Sequence, residues 1–128
     1  MILGFKQQFL SKIEDGTKKH TIREDKNDRW RHGKVIHFAT GVRTKNYNCF
    51  KIGKCVSTQI IEIRYLNKYS DYPVVTIDGK EYRFYWKADW DILCRLSIND
   101  GFNSFTAFCK WFNKDFKGKI IHWTDLKY

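Results

Sequence analysis

Proline occurs once in these 128 residues, and no Asp or Glu lies anywhere between Arg29 and Ile61. With one proline, no internal repeat and no low-complexity tract, nothing resembles an interdomain linker, and one domain over residues 1–128 is the simplest division. The four cysteines form no CxxC pair and the four histidines do not stand at zinc-finger spacing, so no metal site is expected. A glycine-rich phosphate loop is also missing, and no cofactor is expected. No apolar run reaches membrane-spanning length, and the opening "MILGFKQQF" lacks the long apolar stretch of a signal peptide. These absences point to a chain in the reducing cytoplasm with no membrane partner. Cys94 and Cys109 fall in helical patterns, where small buried thiols are expected, and a structural disulfide stays open.

Positive charge and aromatic surface are what the chain has in quantity. Twenty-four Lys and Arg against fourteen Asp and Glu give a formal net charge of +10, and aromatic residues make up 17%. Hydrophobic residues, at 42%, suffice for a buried core and argue against disorder. The acid-free span holds Arg29, Arg31, Lys34, Arg43, Lys45, Lys51 and Lys54, interleaved with Trp30, Tyr47 and Phe50. Basic groups hold phosphates and aromatic faces stack on unpaired bases, so this mixture suits single-stranded RNA or a nucleotide. A solvated loop of the same composition is the plainer alternative.

Periodicity predicts a mostly β chain with a few helices. Met1 to Phe5 reads as a short strand, and Phe9, Leu10 and Ile13 as a short helical face ended by Gly16. Lys19 to Arg23 is extended, Glu24 to Gly33 a loop, and "KVIHFAT" a strand covered on both faces. Residues 42 to 54 read as a polar loop. In "CVSTQIIEIRYL" the apolar parity changes, which predicts a bulge near Ile60 of the kind that curls sheets into barrels. "VVTIDGKEYRFYW" is a hairpin turning at Asp78-Gly79. A helix follows with Ile92, Leu93 and Leu96 on one face, and then a second with Phe105, Phe108, Cys109 and Phe112 at i, i+3, i+4, i+7. Asn103 or Ser104 caps that second helix, and "KIIHW" is a closing strand.

Three segments, "DGTKKHTIRED", "HGKVIHF" and "NDGFNSFTAFCKWF", occur in an order that resembles the ASCH domain family of the PUA-like superfamily. Gly16, Lys18, Thr21 and Arg23 stand at the family's spacing. The resemblance implies an α+β, mostly β fold: a small β-barrel with short helices flanking its openings and a cleft for RNA or a nucleoside. Some bacterial members are amidohydrolases that remove acetyl from acetylated cytidine with a Lys, a Thr and a Glu. The first two carry over onto Lys18 and Thr21. The third falls at or next to Asp100, one methylene shorter than the family's Glu.

The residues themselves support a polar wall. Thr21 and Arg23 share strand parity and can face one cleft while Ile22 faces the other side. Lys18 is off that parity, and joins them only if the turn after Gly16 redirects it; otherwise Lys19 takes its place. A lysine whose pKa is lowered by desolvation can take the proton of a threonine hydroxyl. Arg23 can bind an oxyanion or phosphate through its fork of donors. Trp30 either covers a bound base or plugs one end of the barrel. The expectation is an RNA-binding or nucleoside-binding protein, with hydrolysis of an acylated nucleoside by Lys18, Thr21 and Asp100 as the alternative.

Overall fold

The computed structural model describes residues 1–66 and 72–128. Among them, eight strands form two sheets, accompanied by three short α-helices, so the fold is α+β and mostly β. The first sheet runs β1 (Ile2–Phe5), β3 (Val35–Thr40), β4 (Asn48–Lys54), with β1 parallel to β3 and β4 antiparallel to it. The second is antiparallel throughout, in the order β2 (His20–Arg23), β8 (Phe116–His122), β5 (Ser57–Arg64), β6 (Val74–Ile77), β7 (Lys80–Tyr82). The β6–β7 hairpin turns at Asp78 and Gly79, both at positive φ (49° and 85°), which is why this turn requires Asp-Gly.

The chain changes sheet at Cys55–Val56. Cys55 still pairs with the first sheet, its N–H donating to Lys34 O at 2.8 Å, while the Val56 N–H donates to His122 O of the second at 2.8 Å. On the opposite side the sheets end in free edges, β1 and β2, and no ladder joins them among the described residues. No closed barrel is therefore formed among those residues. A side chain bridges the gap instead: Arg23 Nη2 donates to Gly4 O at 2.6 Å.

Two expectations need correction. Residues 48–54 are not loop but strand β4, paired with β3 from Val35↔Lys54 to Thr40↔Asn48. Most of its side chains are exposed, so backbone pairing holds this edge strand without the apolar alternation that would have revealed it. The expected bulge at Ile60 is also absent, because β5 pairs with β8 in unbroken register from Ser57↔His122 to Ile63↔Phe116. The buried parity never switches: Gln59, Ile61 and Ile63 face inward and Ile60 outward. Gln59 disguised the pattern. Its amide is buried among polar partners, donating to Tyr128 O at 2.7 Å and accepting from the Tyr128 N–H at 2.9 Å. The register shift that does occur lies in β3, between Phe38 and Ala39.

Helices α1 (Leu10–Glu14), α2 (Lys87–Asn99) and α3 (Phe105–Trp111) cover the core with the predicted faces, Ile13, Leu93, Leu96, Phe105, Phe108 and Cys109 being buried. Ser104 caps α3 by accepting from the Ala107 N–H at 3.1 Å. All four cysteines are free. No helix among the described residues is long and apolar enough to cross a membrane.

The uninterrupted β5 register makes a direct prediction. Ile61→Ala should destabilise the protein by about 2–5 kcal/mol in urea unfolding, whereas Ile60→Ala should change stability by less than ~0.5 kcal/mol. A bulge at Ile60 would bring the two values together.

Candidate functional site

The segment between α1 and β2 is shaped by local hydrogen bonds. Gly16 takes φ +83°, the Thr17 N–H donates to Asp15 Oδ1 at 2.8 Å, and the Lys18 N–H donates to Lys12 O at 2.9 Å. Strand geometry begins only at His20, so Lys18 escapes the parity of β2 and turns inward. Its side chain is buried, 2% exposed. The same segment, together with Lys12 of α1, satisfies the carbonyls left open at the end of α2. Lys19 N–H donates to Asn99 O at 2.7 Å, Lys18 Nζ to Asp100 O, and Lys12 Nζ to Gly101 O at 2.8 Å. Cations and N–H donors are favoured at a helix C-terminus, where the orphan carbonyls carry partial negative charge.

Asp100 follows the last residue of α2 and is itself buried. Its Oδ1 receives Lys18 Nζ at 3.4 Å and lies 3.1 Å from His20 Nδ1. Gly101 then takes φ +97°, and a Cβ there would sit 2.9 Å from Phe9 Cδ1 and 3.0 Å from Lys18 Cδ. Only glycine allows the chain to turn this closely over the lysine stem. Behind the carboxylate, His20 Nε2 lies 2.7 Å from Tyr128 Oη, and Asn99 Nδ2 donates to that hydroxyl at 3.0 Å. The Asp100 carboxylate can only accept, so Nδ1 carries the ring proton, and in the neutral ring Nε2 accepts from the Tyr128 hydroxyl. His20 is held as a neutral donor.

Lys18, Thr21, Arg23 and Asp100 all line one cavity of about 270 Å³ between the free edges of β1 and β2. Ile22, assigned by parity to the opposite side, lines it too, because the cavity lies at the edge of β2 rather than over one face. The wall facing these groups is aromatic: Phe5, Phe9, Phe102, Trp111 and Phe112. Lys18 Nζ stands 4.9 Å from the centre of the Phe9 ring, and the Arg23 guanidinium 5.1 Å from that of Phe5. Arg23 Nε donates to Thr21 Oγ1 at 3.2 Å, which orients the hydroxyl and leaves its proton to donate. Asp100 Oδ2 has no hydrogen bond among the described residues. The cavity thus offers a lysine donor, a hydroxyl and a carboxylate acceptor beside flat apolar rings.

The other candidates lie elsewhere. Lys19 does not line this cavity, and what it gives α2 is its backbone N–H, donated to Asn99 O. Trp30 is buried in a neighbouring cavity with Arg29, Arg43 and Tyr47, so it does not cover the first one. Arg31 is exposed and paired with Asp28 at 3.0 Å. Lys34, Lys45 and Lys54 are exposed, and Lys51 lies over the Phe38 ring at 5.5 Å. Sequence reasoning missed His20, Asn99 and Tyr128 behind Asp100, and Trp111 at the rim. Trp111 alone carried a signal, as a large aromatic off the apolar stripe of its helix, and in the fold it is 43% exposed.

Burial lowers the Lys18 pKa, opposed by the Asp100 carboxylate, and burial likewise lowers that of His20. His122, which donates from Nε2 to Gln59 Oε1 at 3.0 Å, is pushed down to about 3 by burial and by the neighbouring His20. Among the described residues no group of His, Cys, Asp and Glu is placed to hold a metal ion. Comparison with protein-family models, curated proteins and solved structures finds no match.

The two histidines predict a pH dependence. An unfolded histidine protonates near pH 6.5, whereas folded His122 resists protonation down to about 3. Above the unfolded value both states are neutral; below it the unfolded state binds the extra proton and gains. The urea midpoint should fall between pH 7 and pH 5, above the range in which carboxylates titrate. His122→Asn should flatten that decline, and an unchanged slope would show that His122 takes no part in it.

Proposed function

We propose that the chain is an ASCH-type, PUA-like domain that binds the base of a modified nucleoside or of RNA in the cavity between β1 and β2. The carrying observation is that Lys18, Thr21, Arg23 and Asp100, which are remote in sequence, line one cavity opposite a wall of aromatic rings. A nucleobase edge presents carbonyl acceptors beside N–H donors, and its faces are apolar. Lys18 and the Thr21 hydroxyl complement the carbonyls, Asp100 Oδ2 accepts the N–H, and a ring such as Trp111 takes the face. The volume lies just below the ~300 Å³ at which drug-sized ligand clefts begin, so the occupant is small. A mostly β architecture of two sheets and three short helices is compatible with a PUA-like relationship, and the basic, acid-free segment accords with RNA.

Ligand-induced quenching of tryptophan fluorescence tests this reading. Ribonucleosides and short single-stranded RNA should quench Trp111, and Lys18→Met should weaken binding by about 10-fold or more, as expected for a hydrogen bond from a charged donor. RNA affinity should fall steeply between low and high salt. Unchanged affinity in Lys18→Met would remove the cavity from the account.

A second reading, an amidohydrolase acting on an acylated cytidine-type nucleoside, is favoured by one observation: the lowered pKa of Lys18 in the cavity that Thr21 also lines. A neutral Lys18 that donates both N–H groups to Asp100 keeps a lone pair for the Thr21 proton. The threonine oxygen then adds to the acyl carbon, and the base amine leaves with that proton. Water releases the acid from the resulting ester. Here Lys18→Ala and Thr21→Ala should each cut acetate release from N-acetylcytidine by at least ~100-fold. RNA binding without acid release would reject this chemistry and leave the first reading standing.

A further inference from the structure

A second cavity, of about 590 Å³, begins where the first ends. Gly4 lines both, so they follow one another along β1: Ile2 and Gly4 border the second, and Gly4, Phe5 and Lys6 the first. From Ile2 to Phe5 an extended strand advances only roughly 10 Å. The remaining walls of the second cavity include Arg29, Trp30, Val42, Arg43 and Tyr47, with no carboxylate among them.

Both guanidiniums are uncommitted to acids. Among the described residues the Arg29 guanidinium has one hydrogen bond, from Nη2 to the Met1 sulfur at 3.6 Å, and neither Arg29 nor Arg43 forms an ion pair. Arg31, two residues from Arg29, is by contrast ion-paired with Asp28 at 3.0 Å. The backbone around each arginine is fixed. Asp25 accepts from the N–H groups of Arg29 and Trp30, both at 2.8 Å, and is held in turn by Lys119 at 3.0 Å. Arg43 has φ +66°, a left-handed conformation disfavoured for a side-chain-bearing residue. The turn that imposes it is closed by Thr44 Oγ1 donating to Gly41 O at 2.6 Å and accepting from the Asn46 N–H at 3.1 Å. A Cβ at Gly41 would lie 2.6 Å from Asn46 O, so this turn admits no other residue there. Two anchored loops thus bring two unpaired guanidiniums and a 45%-exposed tyrosine to one concavity.

We propose that this second cavity is the subsite for the phosphate of the nucleotide whose base occupies the first cavity. The ligand is then a nucleotide, free or within a strand, rather than an unphosphorylated nucleoside. Arg29 and Arg43 take the phosphate oxygens through their planar donor forks, and Tyr47 presents its ring to the sugar or the next base. Of the seven basic residues in the acid-free segment, these two carry the recognition, while Arg31, Lys34, Lys45, Lys51 and Lys54 add only field. The inference rests on the base-binding reading of the first cavity, and its test separates the two.

Affinities are measured for the four ribonucleosides, their 3′- and 5′-monophosphates, dinucleoside monophosphates and inorganic phosphate. The proteins are wild type, Arg29→Gln/Arg43→Gln, Arg31→Gln/Lys34→Gln and Lys18→Met. In the wild type a monophosphate should bind at least ~10-fold more tightly than its nucleoside. That gain should vanish in Arg29→Gln/Arg43→Gln with nucleoside affinity unchanged, and should survive in Arg31→Gln/Lys34→Gln. An equal gain for dinucleoside monophosphates identifies a strand phosphodiester as the source; a gain confined to monophosphates identifies a free nucleotide. No gain in the wild type, or a gain that survives loss of both arginines, overturns the proposal. Phosphate binding that depends on the two arginines, with no nucleoside binding and no effect of Lys18→Met, would retain the anion site and reject the base cavity.

Discussion

A lysine ammonium removed from water needs a partner, and in this fold Lys18 finds it at the end of α2. Its hydrogen bonds among the described residues go to the carbonyl and the carboxylate of one residue, Asp100, so helix end and strand entrance are tied at a single point. Lys12 and Lys19 bind the carbonyls on either side, of Gly101 and Asn99. The segment entering β2 therefore serves as the C-terminal cap of α2. Fixing α2 there fixes Asp100 in the cavity wall, and the turn at Gly101 carries the chain on to Phe102, α3 and Phe112, so that Phe102, Trp111 and Phe112 join Phe5 and Phe9 around the same cavity.

That cavity exists because the sheets do not meet. Backbone pairing passes from one sheet to the other through Cys55 and Val56, whereas among the described residues no ladder joins β1 to β2. An open seam exposes carbonyls and N–H groups that a closed barrel would pair internally. Here Arg23 spans the seam to Gly4 O, aligns Thr21 on the way, and leaves room between the edges. One strand, β1, borders this space and the arginine-lined cavity in succession, so aromatic rings, directed hydrogen-bonding groups and positive charge follow one another along it. His20 and Tyr128 lie behind this wall and hold the Asp100 carboxylate, which is why a polar network sits where the apolar residue Ile22 would suggest only packing.

Much of the architecture was legible because its signals are local. Asp78-Gly79 marked a hairpin turn, Phe105, Phe108 and Cys109 a buried helix face, and Gly16 a helix end; each depends on a few neighbouring residues. Strand β4 was hidden because an exposed edge strand needs no apolar alternation. The parity of β5 misled because a glutamine took a core position, satisfied by Tyr128 and His122, neither of which is near it in sequence. A buried polar residue looks like a surface one until its partners are known.

By itself, the order of residues determined most of the secondary elements, though not β4, together with the excess of positive charge and its concentration between Arg29 and Lys54, and the polar set Lys18, Thr21 and Arg23. Tertiary structure alone decided that Lys18 rather than Lys19 faces inward, that Asp100 meets it, and that two of the seven arginines and lysines share a cavity with Tyr47. The reason is physical. Propensity and periodicity act over a few residues, whereas desolvation and pairing act on whatever folding brings within a few ångströms, and those neighbours are set by the packing of α2 and by the seam between two sheets.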